Sequence, residues 1–588
     1  MKTIKYVYRF FLMTSVILLA GCRDYLEVEP QSQVSISEAF SSVADARTSL
    51  IGAYDELMGD NGYGIRINLY YPYDSDEMIV TGNIDNGRRG IGRYQLLLTN
   101  AELRNPFLQL YRGVEKSNLC IEQIPLMSLY TSGSDADKKE LRRMHGEALV
   151  LRAQYLFELI RNWGDVPASF EPAYKTTDLF IPQTDRDQTY DRLLNDLKTA
   201  IELLPWRTEV TRDERITKGA AKALRAKIAL FRGGFSLRAN GKMERGANHT
   251  QYYQIAKEEC EGLMANRSQH TLNPKYEDIW KKHLSSFQRD PFGEIVFEVG
   301  AGGSNSNSDS RMANYNGPRC DPASRVGTGG GGLQVLPNYF YSFDSTDVRR
   351  DVSVTLYAIP ANNIKTTRRL GELTDGKFRK DWRNPLLPGT ALNVGYNWPL
   401  IRFSDVLLMF AEAENELNGP TAAAISAFEE VRKRSLTNIG TTPTTKQAFF
   451  DAIVKERLLE FGGEGIRKYD LIRWNLLEAK IKETRSVIEQ MRNGTGPFTF
   501  LPRYMFWSNN GEEIRWHNSF YLPTSLTTAP TGQFRLDWRQ HLTTNLIDGM
   551  TLDKGIASFF VTGKSELFPY PQTVIDSYQG KLKQNPGY

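Results

Sequence analysis

Apolar positions along the chain fall mostly three and four residues apart, the spacing of helices with one buried face. Ser35-Ile36-Ser37-Glu38 has capping-box spacing, in which a serine hydroxyl and a glutamate three residues on each satisfy a free backbone N–H. Phe40, Val43, Ala44, Leu50, Ile51, Tyr54 and Leu57 follow at helical intervals and predict a helix over about 35–58. From about Lys138 to Trp163, Ala148, Leu151, Tyr155, Leu156, Leu159 and Trp163 share one stripe, which Gly164-Asp165-Val166-Pro167 ends. Similar stretches lie at about 106–124, 187–204, 217–233, 251–266, 398–418, 421–434, 445–462 and 467–480. Small residues recur where two helices must approach closely, as in Gly219-Ala220-Ala221 with Ala223 and Ala226, or Ala411 with Ala413. The pattern predicts a mostly α protein of stacked helical hairpins, repeated by alternation and without a strict period.

Three stretches interrupt the helices. Residues 59–105 carry Gly62, Gly64, Gly82, Gly87, Gly90 and Gly92 among Tyr63, Tyr70, Tyr71, Tyr73 and Tyr94. Residues 294–397 combine the apolar run Ile295-Val296-Phe297, a Ser/Asn run from Ser304 to Ser310, the glycines of 327–332 and a strand-like alternation at Val352, Val354 and Leu356. Residues 494–560 are rich in aromatics, among them Trp507, Trp516 and Trp538. Long connections of this kind are more often functional than idle, so these segments are expected to carry a site on a loop-rich side with a few short strands.

At the amino end, Lys2, Lys5 and Arg9 precede an apolar run from Phe10 to Ala20, shorter than the ~20 residues that cross a bilayer core. Residues 1–21 read as a signal peptide. Leu19-Ala20-Gly21-Cys22 resembles the lipobox of bacterial lipoproteins, which implies cleavage before Cys22 and a lipid on its thiol. Residues 22–34 then form an acidic, extended tether, and the mature protein is expected to be anchored to a membrane, not to span it. The remaining Cys120, Cys260 and Cys320 show no CxxC spacing, so neither a disulfide framework nor a zinc site is indicated. Cys120 and Cys260 read as small core residues, with a Cys260–Cys320 pair left open.

Composition narrows the function. Charged residues make up 24% of the 588 and mean hydropathy is −0.44, values that fit neither an unfolded polyelectrolyte nor a multi-pass membrane protein. Seventy-three Lys and Arg against 69 Asp and Glu leave a net charge of +4, too small a surplus over this length to draw the chain onto nucleic acid. Aromatics reach 11%, with 28 tyrosines, the ring that tolerates a half-wet surface.

Catalytic signatures fail. HExxH, GxSxG and a phosphate-binding GxxxxGK[ST] loop are absent; the run Gly327-Thr328-Gly329-Gly330-Gly331-Gly332 fits GxGxxG literally, but opens no long helix and follows no strand. The six histidines are scattered, none at a metal-ligand spacing from another, so neither a metal nor a cofactor is expected. A glycosidase needs two carboxyls roughly 5–9.5 Å apart. Asp74 with Asp76, or Glu460 with Glu464, are candidates, yet Glu456, Arg457, Glu460, Glu464 and Arg467 read better as an ion-pair network along neighbouring turns.

A set of motifs spans nearly the whole chain: the lipobox with Asp24-Tyr25-Leu26 and Pro30; Gly52-Ala53-Tyr54; Leu110-Tyr111 with Asn118; Gly146-Glu147-Ala148 with Leu151-Arg152-Ala153; and Trp163-Gly164-Asp165-Val166-Pro167. Thr217-Lys218-Gly219-Ala220-Ala221, Arg402-Phe403-Ser404-Asp405 through Ala413, Glu456-Arg457 to Arg473-Trp474 and the terminal Gln584-Asn585-Pro586-Gly587-Tyr588 continue it. In content and order these resemble the SusD/RagB family of nutrient-binding outer-membrane lipoproteins. The resemblance implies four tetratricopeptide-like helix pairs within one domain over 35–588, helical at about 35–58, 106–293 and 398–480. It implies a protein that lies as a lid on a SusC-like TonB-dependent transporter, delivers oligosaccharides or, in one branch, peptides, and catalyses nothing. Localisation would be the outer membrane, lipid-anchored and surface-exposed. The glycines at 82–92 and 327–332 depart from the family's average pattern.

Sugar rings stack their C–H faces on aromatic rings, and their hydroxyls seek planar polar groups. Arg66, Asn68, Tyr70, Tyr71, Tyr73, Asp74, Arg88, Arg93 and Tyr94 supply that mixture in one loop, and Asn314, Tyr315, Asn316 and Arg319 offer a second set. For a peptide, the loop arginines would receive carboxylates. Glu147, Arg152, Trp163, Arg457, Arg467 and Trp474 are expected to brace helices, not to touch ligand.

Overall fold

The computed structural model describes residues 35–211, 214–302, 309–387, 389–540, 542 and 555–588; the expected signal peptide, Cys22 and the whole tether lie outside them. Side-chain caps set where the helices begin. The Ser35/Glu38 capping box is present, but it starts a helix of only four residues, and the chain restarts on Ser42. The main helices are α1 (Val43–Asp55), α2 (Ala101–Leu126), α3 (Asp135–Trp163), α4 (Arg186–Leu203), α5 (Lys218–Gly233), α6 (His249–Met264), α7 (Phe403–Asn418), α8 (Ala422–Ser435), α9 (Lys446–Phe461), α10 (Arg467–Arg473) and α11 (Leu477–Asn493). Asn100, Ser134, Asp185, Thr217, Thr421 and Thr445 each accept a backbone N–H at a helix start, a contact worth about 0.5–2 kcal/mol apiece.

Consecutive helices pair as α1/α2, α3/α4, α5/α6 and α7/α8, and each pair packs on the next through α2 on α3, α4 on α5 and α6 on α7. These are the four tetratricopeptide-like pairs, and the fold is mostly α. The expected braces join them. Arg152 reaches Asp196 at 2.6 Å, tying α3 to α4. Arg457 lies 2.7 Å from both Asp405 and Asp470, tying α9 to α7 and α10. Arg215 meets Glu147 at 2.7 Å, Trp163 Nε1 donates to Pro569 O at 3.1 Å, and Trp474 Nε1 donates to Glu412 at 2.9 Å.

The middle excursion leaves after α6 and returns before α7 along two adjacent strands, β2 (Ile295–Val299) and β6 (Trp398–Arg402), paired antiparallel with Trp398 opposite Val299. Residues 398–402, expected as the start of a helix, are therefore strand; Pro399 and the neighbouring aromatic and β-branched residues disfavour a helix there. Helix 467–480 is likewise split, at Asn475 with φ +57°. Strands β1 (Met78–Val80), β3 (Leu333–Val335), β4 (Val354–Thr355) and β5 (Thr374–Asp375) form one sheet in the order β1-β3-β5-β4, with Met78 opposite Val335. That sheet sews the first irregular segment to the second. The third segment contains the antiparallel sheet β8-β7-β9, from β7 (Tyr504–Asn509), β8 (Ile514–Trp516) and β9 (Phe534–Asp537).

Beneath these segments lies a buried ionic cluster. Arg402 sits 2.8 Å from Glu294, Glu460 and Glu464; Arg434 pairs with Glu294 and Glu460; Arg349 with Asp347, Glu456 and Glu460; and Lys377 with Glu464. Cys120, Cys260 and Cys320 are all free and buried. The pair left open does not form: Cys260 faces the main core from α6, whereas Cys320 packs with Val326 and Ile359 in a separate small cluster. Among the described residues no helix is long and apolar enough to cross a membrane, and no group of His, Cys, Asp or Glu is placed to hold a metal.

Candidate functional site on the loop-rich side

The β1–β3 pairing carries residues of the first segment to those of the second. Tyr70 ends the short helix Arg66–Leu69, Arg88 opens the helix Arg88–Ile91, and Tyr315 ends the helix Met312–Tyr315. The Arg88 guanidinium lies over both rings, 5.5 Å from the Tyr70 centroid and 5.8 Å from that of Tyr315. Tyr315 and Arg88 are half-buried, while Tyr70 lies beneath them and is 7% exposed. Burial pushes the Tyr70 phenol up to about 12, against the pull of Arg88, so it stays a neutral hydrogen-bonding group at neutral pH.

Two glycines permit this approach. Gly331 has φ +55°, and a Cβ there would stand 2.7 Å from the Arg319 side chain. The run it belongs to lies along Tyr315: Gly330 N donates to Asn314 O at 2.8 Å, Gly332 N donates to Tyr315 O, and Thr81 N donates to Gly332 O at 2.9 Å. At Gly92 a Cβ would meet Val80 Cγ2 at 2.5 Å, so only glycine lets the Arg88 helix rest on β1. The glycines that depart from the family pattern are thus what packs the two segments together.

Around the cluster, Arg66 pairs with Glu102 at 2.5 Å and with Asp60 at 3.4 Å. Arg311 also reaches Asp60, at 3.5 Å, and its Nε donates to Asn393 at 3.1 Å. Asp60 and Arg311 were missed by the sequence reading, because neither lies among the loop tyrosines and nothing local marks them as partners.

The other expected contacts lie inside the protein. Tyr71 is fully buried in a ring cluster, 4.7 Å from Phe568 and 6.0 Å from Trp163, and its hydroxyl donates to Glu102 O at 2.8 Å. Tyr73 is buried as completely, with no hydrogen-bond partner for its hydroxyl among the described residues. Asn68 donates to Tyr63 O, and Asn314 is buried below the glycine run. Asp74 lies 3.8 Å from Arg93 and accepts from Ala557 N at 2.9 Å, both side chains being enclosed. Burial raises the Asp74 carboxyl to about 6, against the pull of Arg93. In this structure Asn68, Tyr71, Tyr73, Asp74, Arg93 and Asn314 are enclosed by the protein, as is Tyr70 beneath Arg88 and Tyr315. Core packing claimed these rings because the loop folds back onto α2 and α3.

Neither carboxylate pair fits glycoside cleavage. Asp76 is clamped by Arg467 at 2.7 Å beside enclosed Asp74, and Glu460 and Glu464 belong to the buried ionic cluster.

Comparison with known proteins agrees with the architecture. Residues 376–588 match the model of the SusD family, and residues 24–230 match a model described as "Starch-binding associating with outer membrane". SusD-like protein P25 of Formosa agariphila is 27% identical over 497 residues, 78% of this chain and 88% of that protein. SusD-like protein P38 of the same organism is 26% identical over 79% of this chain and 90% of its own length. Among solved structures, a SusD homolog from Bacteroides thetaiotaomicron superposes with TM-score 0.74 at 23% identity, covering 93% of this chain and 97% of that one. Surface glycan-binding protein A from the same species, in complex with laminarihexaose, gives TM-score 0.62 at 19% identity, over 92% and 99% of the two chains. Two family models meeting opposite ends of the sequence, and relatives aligned across most of its length, establish that the chain belongs to the SusD/RagB family.

Proposed function

We propose that the protein is a lipid-anchored, surface-exposed protein of the outer membrane that captures oligosaccharide or polysaccharide and passes it to a SusC-like TonB-dependent transporter. The observation that carries this reading is the meeting of Tyr315, Arg88 and Tyr70 from segments more than 200 residues apart. A tyrosine ring beside a guanidinium offers an apolar face for sugar C–H groups and planar donors for hydroxyls. The relatives support the ligand class: one similar structure is a laminarin-binding SusD-like protein, and another holds laminarihexaose. The outer-membrane wording of the matched model and the lipobox ending at Cys22 support the location. Capture here breaks no bond.

Isothermal titration against a glycan panel tests it. Tyr315→Ala is expected to weaken binding about 2- to 10-fold, the worth of one aromatic contact. Unchanged affinity in that variant would remove the site assignment. Alanine at Tyr71 or Tyr73 instead tests the fold, since both rings are enclosed. A peptide ligand is less well served: Arg66 and Arg311, the cations flanking the cluster, are already paired with Glu102 and Asp60.

A further inference from the structure

An open cleft, of about 530 Å³, lies between the end of the segment after α6, strand β2 and residues 383–397. On its wall stands Phe287, which takes no part in the Tyr315 cluster. Its backbone has φ +57°, a conformation that bulky residues avoid, and its ring is 49% exposed. Both features run against folding stability. The contrast with Tyr94 is informative. That ring also has positive φ, but it is buried and its hydroxyl donates to Asp74 O at 2.8 Å. Phe287 follows a six-residue π-helix, Ile279–Leu284, an irregularity that often marks functional ground.

The ring is also held still. The Arg383 guanidinium covers it at 4.9 Å, and Arg383 is itself fixed by donating to Val394 O at 3.0 Å and to Pro385 O. Tyr396, fully buried, abuts it at 6.2 Å between centroids. Around this platform the cleft presents Asn397, whose Oδ1 accepts from Ala301 N at 2.9 Å, with Glu214, Glu298 and Arg289. Acidic and basic groups nearly balance: Glu214, Asp290 and Glu298 stand against Arg289 and Arg383, with His283 beside them. A rigid ring, an amide and interspersed charges of both signs suit a ligand with an apolar ring face, many hydroxyls and no net charge.

We infer that this cleft is a second carbohydrate subsite, for a neutral sugar chain, with Phe287 as its stacking platform. The inference rests on the glycan-binding reading above and extends it to a site separate from Tyr315.

The test uses the full chain carrying 4-fluorophenylalanine at position 287, titrated with neutral gluco-, manno- and xylo-hexasaccharides and with an oligogalacturonate, read by fluorine NMR and calorimetry. A neutral hexasaccharide is expected to shift the fluorine resonance saturably, and to do so still in the Tyr315→Ala background. Phe287→Gly, which relaxes the backbone and removes the ring, is expected to weaken that binding about 2- to 10-fold without loss of folding. Binding that leaves both the resonance and the Phe287→Gly affinity unchanged overturns the second subsite and leaves the proposed function standing. A shift with oligogalacturonate alone overturns the neutral class. Absence of binding to every glycan overturns the proposed function and this inference with it.

Discussion

Arg402 offers the sharpest test of how the fold supports its loop-rich side. Its guanidinium is 1% exposed and touches Glu294, Glu460 and Glu464, each at 2.8 Å. In the cluster as a whole Asp347, Glu294, Glu456, Glu460 and Glu464 face Arg349, Lys377, Arg402, Arg434 and, at 3.5 Å, Arg432, so five carboxylates meet five cations. Arg402→Met keeps most of the apolar stem and leaves one carboxylate in excess. Breaking a buried pair from one side costs about 3–5 kcal/mol. The variant can escape part of that cost by taking up a proton. Protonating a carboxyl of ordinary pKa near 4.3 at pH 7 costs about 3.7 kcal/mol, which agrees in size; at pH 5 the same step costs about 1 kcal/mol. The native variant then holds one proton more than its unfolded chain, so its stability falls by about 1.4 kcal/mol for each unit that pH rises. Urea unfolding of both proteins at pH 7, 6 and 5, followed by circular dichroism, should show a deficit of about 3–4 kcal/mol that shrinks towards about 1 kcal/mol in acid. A deficit under 1 kcal/mol at pH 7, or one equal at pH 5 and pH 7, would refute the charge count.

Asp74 has a folded pKa of about 6, above its unfolded value near 3.9, so the native state holds the proton longer and stability declines as pH rises from about 4 to 6. Asp74→Asn should abolish that part of the slope and be the more stable protein at pH 7 by about 3 kcal/mol; an unaltered slope in denaturation would contradict it. Gly92→Ala drives a methyl to within 2.5 Å of Val80, and should cost about 1–3 kcal/mol in unfolding while weakening glycan binding by displacing Arg88. Should affinity stay the same despite lost stability, Arg88 does not serve the site. Cys120, Cys260 and Cys320 should be silent to a thiol reagent in the native protein and all react once it is denatured; one reactive thiol among the three would signify a disulfide.

The helical repeats were legible because each buries one stripe, and a stripe repeats every three to four residues whatever it packs against. The ionic braces were legible too, since Arg457 and Trp474 sit on those stripes beside apolar neighbours. Strand β6 was not, because only Arg402 separates Trp398-Pro399-Leu400-Ile401 from the apolar helix that follows, and pairing with β2 is what sets the strand apart. The proposed site was less legible. Composition pointed to the 59–105 loop, yet it could not say which of its tyrosines the core would take: Tyr70, Tyr71 and Tyr73 are all buried, and burial is set by the direction of the chain at each residue, which a segment without period does not encode. Phe287 left no signal at all, being a single ring outside every aromatic-rich stretch.

The pairing of β2 with β6 has a further consequence. Because the outgoing and returning strands lie side by side, everything between them hangs from a closed stem, and lengthening such a loop adds only about 0.6 kcal/mol for each doubling. Length added at the exposed turns of the excursion therefore costs the fold little, while Arg349 and Lys377 within it stay ion-paired to Glu456, Glu460 and Glu464 of the body. Tyr315 and Arg383 both belong to it, whereas Tyr70, Arg88 and Phe287 lie outside, so a change within the excursion alters one half of each proposed site while the other half stays in place.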